Sequence, residues 1–204
     1  MKKGQRISYR NLELPPGVVN DFYFIGQGAF TIALQSAEDL GTIYLRSKDN
    51  YKEALALFAP ETNHVPEIES LYFQDDQDYY WYKMPFYGKP TTEHRRIAKR
   101  LQSLYDEVTP KGYGRPDRIK HGYDFLERVE RDPDLCKYHD TLYGMFSAVT
   151  NYGDDAAFEF SPRNIASKHG ATLVFLDVLF SVNKILEIRE AKYQRARART
   201  PYRF

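Results

Sequence analysis

Two polar residues at the ends of one short apolar hairpin constrain this chain more than any other feature. Asn164 closes the segment FEFSPRNIA, and Asp177 follows thirteen residues later in LVFLDVLF. Between them run a short strand, a tight turn at Lys168-His169-Gly170, and a second, more apolar strand. A hairpin returns the chain to its starting point, so an amide and a carboxylate are delivered to one place. Such a pair offers two oxygen donors to a hard cation.

The rest of the chain must supply a body for that hairpin. Its 204 residues suffice for one domain or a compact two-lobed one. A hydrophobic share of 42% provides a core and argues against disorder. The aromatic residues, mostly Tyr and Phe, suit strand surfaces and interfaces alike. A formal net charge of +1 excludes a global field that would draw the protein to nucleic acid or membrane. A single cysteine, Cys136, excludes an internal disulfide and a Cys-based zinc cluster, and it suits a reducing compartment. The basic start MKKGQRISYRN is not followed by an apolar stretch, so it does not read as a signal peptide. No apolar run approaches the roughly 20 residues of a membrane-spanning helix. The histidines 64, 94, 121, 139 and 169 are scattered, with none at metal-ligand spacing from another. Ser161 lies near Glu159 but has no histidine in its motif, so no Ser-His-Asp set is present.

Periodicity divides the chain. Residues 1–20 are polar, end in Pro15-Pro16-Gly17, and read as an irregular lead-in. DFYFIGQ (21–27), AFTIALQS (29–36), GTIYLRS (41–47), EIESLYF (67–73) and YYWYKMPFY (79–87) read as five strands. After the third strand, Asp49 or Asn50 is placed to cap a short helix, YKEALALFA, which Pro60 stops. From Thr91 the period becomes helical. Ile97, Leu101, Leu104 and Val108 share a face behind a cap at Thr92. TPKGYGRPDRIKHG (109–122) reads as a loop, YDFLERVERD as a short helix, and 134–152 as a longer, buried one. The final segment resumes helical spacing through Val182, Ile185, Leu186 and Ile188 and then turns strongly basic.

Three further groups are placed to carry chemistry. Gly26-Gln27-Gly28 lies between two strands, where missing Cβ atoms let backbone N–H groups approach phosphate; an ordinary hairpin turn gives the same pattern. Arg46, with Lys48 on the same strand face, follows an apolar pair, and Glu53 on the next helix supplies a carboxylate. A solvent-facing ion pair reads the same way. Glu159, five residues before Asn164, reads by itself as a solvated loop acid. At the C-terminus Arg189, Lys192, Arg195, Arg197, Arg199 and Arg203 face one acid, Glu190. That tract suits nucleic acid or an acidic partner, and equally a solvated helix end.

Through IGQGAFTIAL, the PEIES region, FEFSPRNIASKHGATLVFLDVLF and the RARAR end, the chain resembles the early serine/threonine protein kinases of short-tailed, autographivirus-type phages. The resemblance implies an α+β, protein-kinase-like fold. Residues 21–88 would form a small five-stranded N-lobe with one helix, 89–188 a reduced, mainly helical C-lobe, and 189–204 a basic tail. It implies ATP and Mg²⁺ as cofactors and transfer of the γ-phosphoryl group to a host protein in the host cytoplasm. The protein would be a monomer or small homo-oligomer with no membrane association. By the same resemblance Gly26, Gly28 and Phe30 would cover the phosphates, with Phe30 at the loop tip. Arg46 would stand for the usual lysine with Glu53 as its partner, Glu159 for the catalytic aspartate, and Asn164 and Asp177 would hold metal. The chain departs from the pattern at Arg46 and Glu159. It also departs at Tyr44, which would face adenine, and at Val178, which follows Asp177 in place of Phe-Gly. Those departures raise two alternatives: a pseudokinase that inhibits a host defence or transcription protein by binding it, and nucleic-acid binding through the tail.

Overall fold

The computed structural model describes residues 1–49, 51–59, 61–109, 118–152 and 155–199. Six strands form one antiparallel sheet: β1 (Arg6–Ser8), β2 (Asp21–Gln27), β3 (Thr31–Ser36), β4 (Thr42–Ser47), β5 (Glu69–Gln74) and β6 (Tyr80–Pro85). Their spatial order is β1-β2-β3-β4-β6-β5, with helix α1 (Tyr51–Phe58) inserted between β4 and β5. Five strands lie where alternation places them; β1 is an addition. Residues 1–20 are therefore not wholly irregular. Arg6, Ile7 and Ser8 pair with Tyr23, Phe22 and Asp21, and Gly4 N–H donates to Phe24 O at 2.7 Å. Three residues held by backbone bonds leave almost no side-chain period to read.

The sheet has two unlike faces. Phe22, Phe24, Ile32, Leu34 and Trp81 pack on one, covered by Tyr9, Leu12, Leu14 and Val18 of the N-terminal segment, with Tyr44 against them. Ile43, Leu45, Tyr82 and Met84 pack on the other, with Ile25, Ala33, Tyr87 and Leu176. Strand alternation in β4 makes that division, since Tyr44 and Arg46 point one way and Ile43 and Leu45 the other.

The remaining described elements are α2 (Thr92–Val108), α3 (Arg118–Arg131), a 3₁₀ turn (Cys136–Tyr138) and α4 (His139–Tyr152), followed by four short strands and a last helix. The strands are β7 (Ala156–Phe158), β8 (Ile165–Lys168), β9 (Thr172–Phe175) and β10 (Leu179–Ser181), and the helix is α5 (Val182–Arg199). β8 pairs with β9 and β10 with β7. The principal core joins α1 to this half. Tyr51, Ala54 and Leu55 pack in one cluster with Ile97, Leu101, Phe125, Leu126, Leu142, Phe146, Phe158 and Phe175.

Two boundaries move for physical reasons. The cap of α2 is Thr91, one residue earlier than its neighbour Thr92: Thr91 Oγ1 accepts from His94 N–H, and Thr91 N–H donates to His94 Nδ1. A histidine thus fills the place of the acid in a capping box. Helix α3 begins at Arg118 rather than at Tyr123, and Gly122 lies inside it. A Cβ on Gly122 would stand 2.1 Å from the Phe146 ring. This glycine marks close helix packing rather than a loop. No helix among the described residues is long and apolar enough to cross a membrane.

Candidate functional site

The β8–β9 hairpin carries the site. His169 and Gly170 both adopt positive φ, 54° and 76°, which closes the short turn. The hairpin is fastened to the connection between β6 and α2 by reciprocal bonds between Gly88 and Ser167, and to α2 by His94 Nε2, which donates to Ala171 O at 3.0 Å. At its open end the Asn164 carbonyl accepts from the N–H groups of Leu176 (2.8 Å) and Asp177 (3.2 Å). Asn164 and Asp177 are therefore brought together. Asn164 Nδ2 donates to Glu159 O at 3.0 Å, which orients the amide, and Glu159 N–H donates to Val178 O at 2.8 Å. The Glu159 side chain is exposed beside this knot of backbone bonds.

A lysine that the sequence reading passed over completes the site. Lys52 lies in the first turn of α1, and its Nζ donates to Asp177 Oδ1 at 2.5 Å. The Lys52 side chain is 2% exposed and that of Asp177 42%. Burial pulls the Lys52 ammonium down, but the Asp177 and Asp49 carboxylates outweigh it and hold the group above its ordinary value. Asp49 is itself buried, which raises its carboxyl despite the nearby Lys52 charge. Its Oδ1 accepts from Tyr51 N–H at 3.1 Å, so Asp49 caps α1 at the point where Lys52 emerges. Tyr51 reaches the opposite way, donating to Asp155 Oδ1 at 2.8 Å. Asp155 Oδ2 accepts from Ser181 Oγ and from the N–H of Asn183 in α5. Burial and Asp155 together push the Tyr51 phenol well up.

The glycine turn lies at the β2–β3 end of the sheet, where a bulge falls between Phe24 and Gly26. Neither Gly26 nor Gly28 has positive φ. A Cβ on Gly26 would meet nothing within 4 Å, and one on Gly28 only Thr31 O at 3.8 Å. The chain's own packing thus does not demand glycine at either position. Gly28 N–H is committed to Thr31 O at 2.8 Å. Phe30 is not at an exposed loop tip: its side chain is buried, and its carbonyl accepts from Lys48 N–H.

Arg46 and Glu53 are not brought together. Arg46 points to the face of β4 away from Asp177, where its Nε donates to Asp75 Oδ2 at 2.5 Å and its Nη2 to Gln77 Oε1 at 2.9 Å. Glu53 accepts from Ser70 Oγ at 2.7 Å. Tyr44 shares the Arg46 face, edge-on to Phe22 with ring centroids 5.8 Å apart, so it does not enter the space beside Asp177. The Arg46 and Tyr44 placements follow from one shift of strand face, whereas Glu53 lies on α1 and turns to Ser70 of β5. The β4 residues that face the site are Ile43 and Leu45, not Tyr44 and Arg46. The cation comes from the helix instead of the strand. Two signals pointed to Lys52: a lysine in a helix's first turn, where the dipole disfavours it, and a capping aspartate three residues before it.

Among the described residues no group of three or more His, Cys, Asp or Glu side chains is placed to hold a metal ion. Asn164 and Asp177 offer two oxygen donors, and a phosphate-bound magnesium that keeps several waters fits such a pair; a structural zinc or an all-protein calcium cage does not. The side chains of Lys192, Arg195, Arg197 and Arg199 and all of Arg203 lie outside the described residues, as does Asn50. No protein-family model matches the chain, and no curated protein matches it.

Proposed function

We propose that the protein is an ATP-dependent serine/threonine kinase of the early phage type, acting on host proteins during infection. One observation carries the reading: Asn164 and Asp177 share a backbone junction, and the buried ammonium of Lys52 meets the Asp177 carboxylate. Within the six-stranded sheet, five strands with one helix inserted after their third member, a glycine turn and this junction follow the chain order that a kinase reading expects. The apolar residues Ile25, Ala33, Ile43, Met84 and Leu176 line the sheet face nearest the junction and suit a flat base.

In this reading Asn164 and Asp177 hold magnesium, which supplies charge neutralisation on the phosphates. Lys52 takes the phosphate-gripping role expected of Arg46. The exposed Glu159 carboxylate orients the acceptor hydroxyl, its position set by bonds at its own N–H and C=O. The work of the site is positioning and electrostatics, as phosphoryl transfer requires. Calorimetry with ATP, with and without Mg²⁺, on wild type and Asp177→Ala tests it. Magnesium-dependent binding lost in the variant supports the reading, and absence of binding in wild type ends it. A second reading, a pseudokinase that captures a host protein, is favoured by glutamate at position 159 in place of the expected aspartate. Nucleotide binding without transfer to any host protein would select it.

A further inference from the structure

The geometry points to Lys52 as a resident stand-in cation, which makes the site accept a divalent metal and a polyphosphate only as a pair. The inference rests on the nucleotide-site reading above. Lys52 Nζ lies 2.5 Å from Asp177 Oδ1, on the carboxylate that a metal would have to use. Three charges stand together, Asp49 and Asp177 negative and Lys52 positive, and two of the three side chains are buried. A metal arriving alone must lift the ammonium from Asp177 and leave a buried cation with Asp49 as its one counter-charge. A polyphosphate arriving alone must draw Lys52 from Asp177 and leave that carboxylate facing phosphate. Either half-step strands a poorly solvated charge, which is costly. Together the two ligands exchange partners, metal for Lys52 on Asp177 and phosphate for Asp177 on Lys52, and no charge is left alone. Asp49 makes the exchange feasible. Its buried carboxylate acts on the Lys52 charge alongside Asp177, and it is itself fixed by capping α1.

The test uses the full chain, manganese chloride read by electron paramagnetic resonance, and the non-hydrolysable β,γ-imido analogue of ATP. In wild type, Mn²⁺ alone binds at least about tenfold more weakly than Mn²⁺ with the analogue, within the usual range of coupling between sites. Metal bridging to phosphate would give that result by itself, so the variants decide. Lys52→Met should raise the affinity for Mn²⁺ alone by about tenfold. Asp177→Asn should raise the affinity for the metal-free analogue similarly, because Lys52 is released. Lys48→Met removes a cation that lies over the Tyr79 ring, 4.5 Å from its centroid, and controls for net charge. It should change neither. If wild type binds the metal–analogue pair but neither Lys52→Met nor Asp177→Asn gains its single-ligand affinity, the stand-in role is overturned and the nucleotide site survives. If wild type binds neither ligand in any combination, both fall. Should Lys52→Met fail to fold, the Asp177→Asn arm decides alone, since Asp177 is half-exposed.

Discussion

Two cation–carboxylate pairs of nearly identical length lie on opposite sides of β4, and they are built for different purposes. Arg46 and Asp75 meet at 2.5 Å with side chains 4% and 0% exposed. Both Asp75 oxygens are engaged more than once. Asp75 Oδ2 also accepts from Trp81 Nε1, its Oδ1 accepts from the N–H groups of Gln77 and Tyr79, and the Arg46 guanidinium stands 4.0 Å from the Tyr79 ring centroid. Lys52 and Asp177 also meet at 2.5 Å, but the carboxylate is 42% exposed, and among the described residues Lys52 is the one partner its side chain has. A saturated pair is a fixture. A pair with one buried, charged member and one open, thinly bonded member can exchange partners. Composition and distance do not separate the two; saturation does.

The largest expected effect comes from breaking the closed pair. Asp75→Ala leaves the Arg46 charge buried and should lower unfolding stability by about 3–5 kcal/mol. Denaturant titration reads this, while nucleotide affinity per folded molecule stays unchanged. Asp177→Ala should do the reverse, lowering phosphoryl transfer by at least about 100-fold in single-turnover assays with a smaller change in stability. Equal losses of stability in the two variants would erase the distinction. Gly122→Ala, which touches neither pair, should cost about 1–3 kcal/mol through its clash with Phe146, measured as a lower Tm with unchanged nucleotide affinity. Tyr51→Phe removes one of the bonds to buried Asp155 and should cost about 1–2 kcal/mol. It should also weaken nucleotide binding, because its neighbour Lys52 loses a fixed origin.

The smallest effect is one of pH. Burial raises the Asp75 carboxyl, but the bonds from Arg46, Trp81 and two backbone N–H groups outweigh it and hold the group below its ordinary value. A carboxyl lowered on folding stabilises the native state above its unfolded value of about 3.9 and loses that contribution as pH falls through the lower folded value. Acid titration of stability should therefore show a limb below about pH 4 that Asp75→Asn lacks.

What was legible in the sequence divides along physical lines. The β8–β9 hairpin, the five longer strands and the face of α2 were legible because apolar alternation and period are strong there. The junction of Asn164 with Asp177 followed from the hairpin alone. β1 was not legible, because three backbone-paired residues carry no pattern, and β7 and β10 are equally short. Arg46 and Tyr44 were assigned to the site on a strand register one residue off, and a period of two turns that slip into the opposite face; Glu53 was assigned only as the helix partner of Arg46 and turns instead to Ser70. Lys52 escaped because its partner Asp177 lies 125 residues away: local signals mark an unusual helix-start cation but do not name what it meets.

Helix α1 hangs from the sheet by sequence but packs with the other half. Tyr51 is bonded to Asp155, and Ala54 and Leu55 lie in the helical core. Lys52 is therefore surveyed from the same foundation as Asn164 and Asp177, whereas Gly26 and Gly28 ride on the sheet. Should the sheet rock to admit a nucleotide, the glycine turn would travel with it while the ammonium and its two oxygen-bearing neighbours kept their mutual spacing. The site then behaves as a fixed floor beneath a movable roof, and opening the roof would leave the floor's alignment intact.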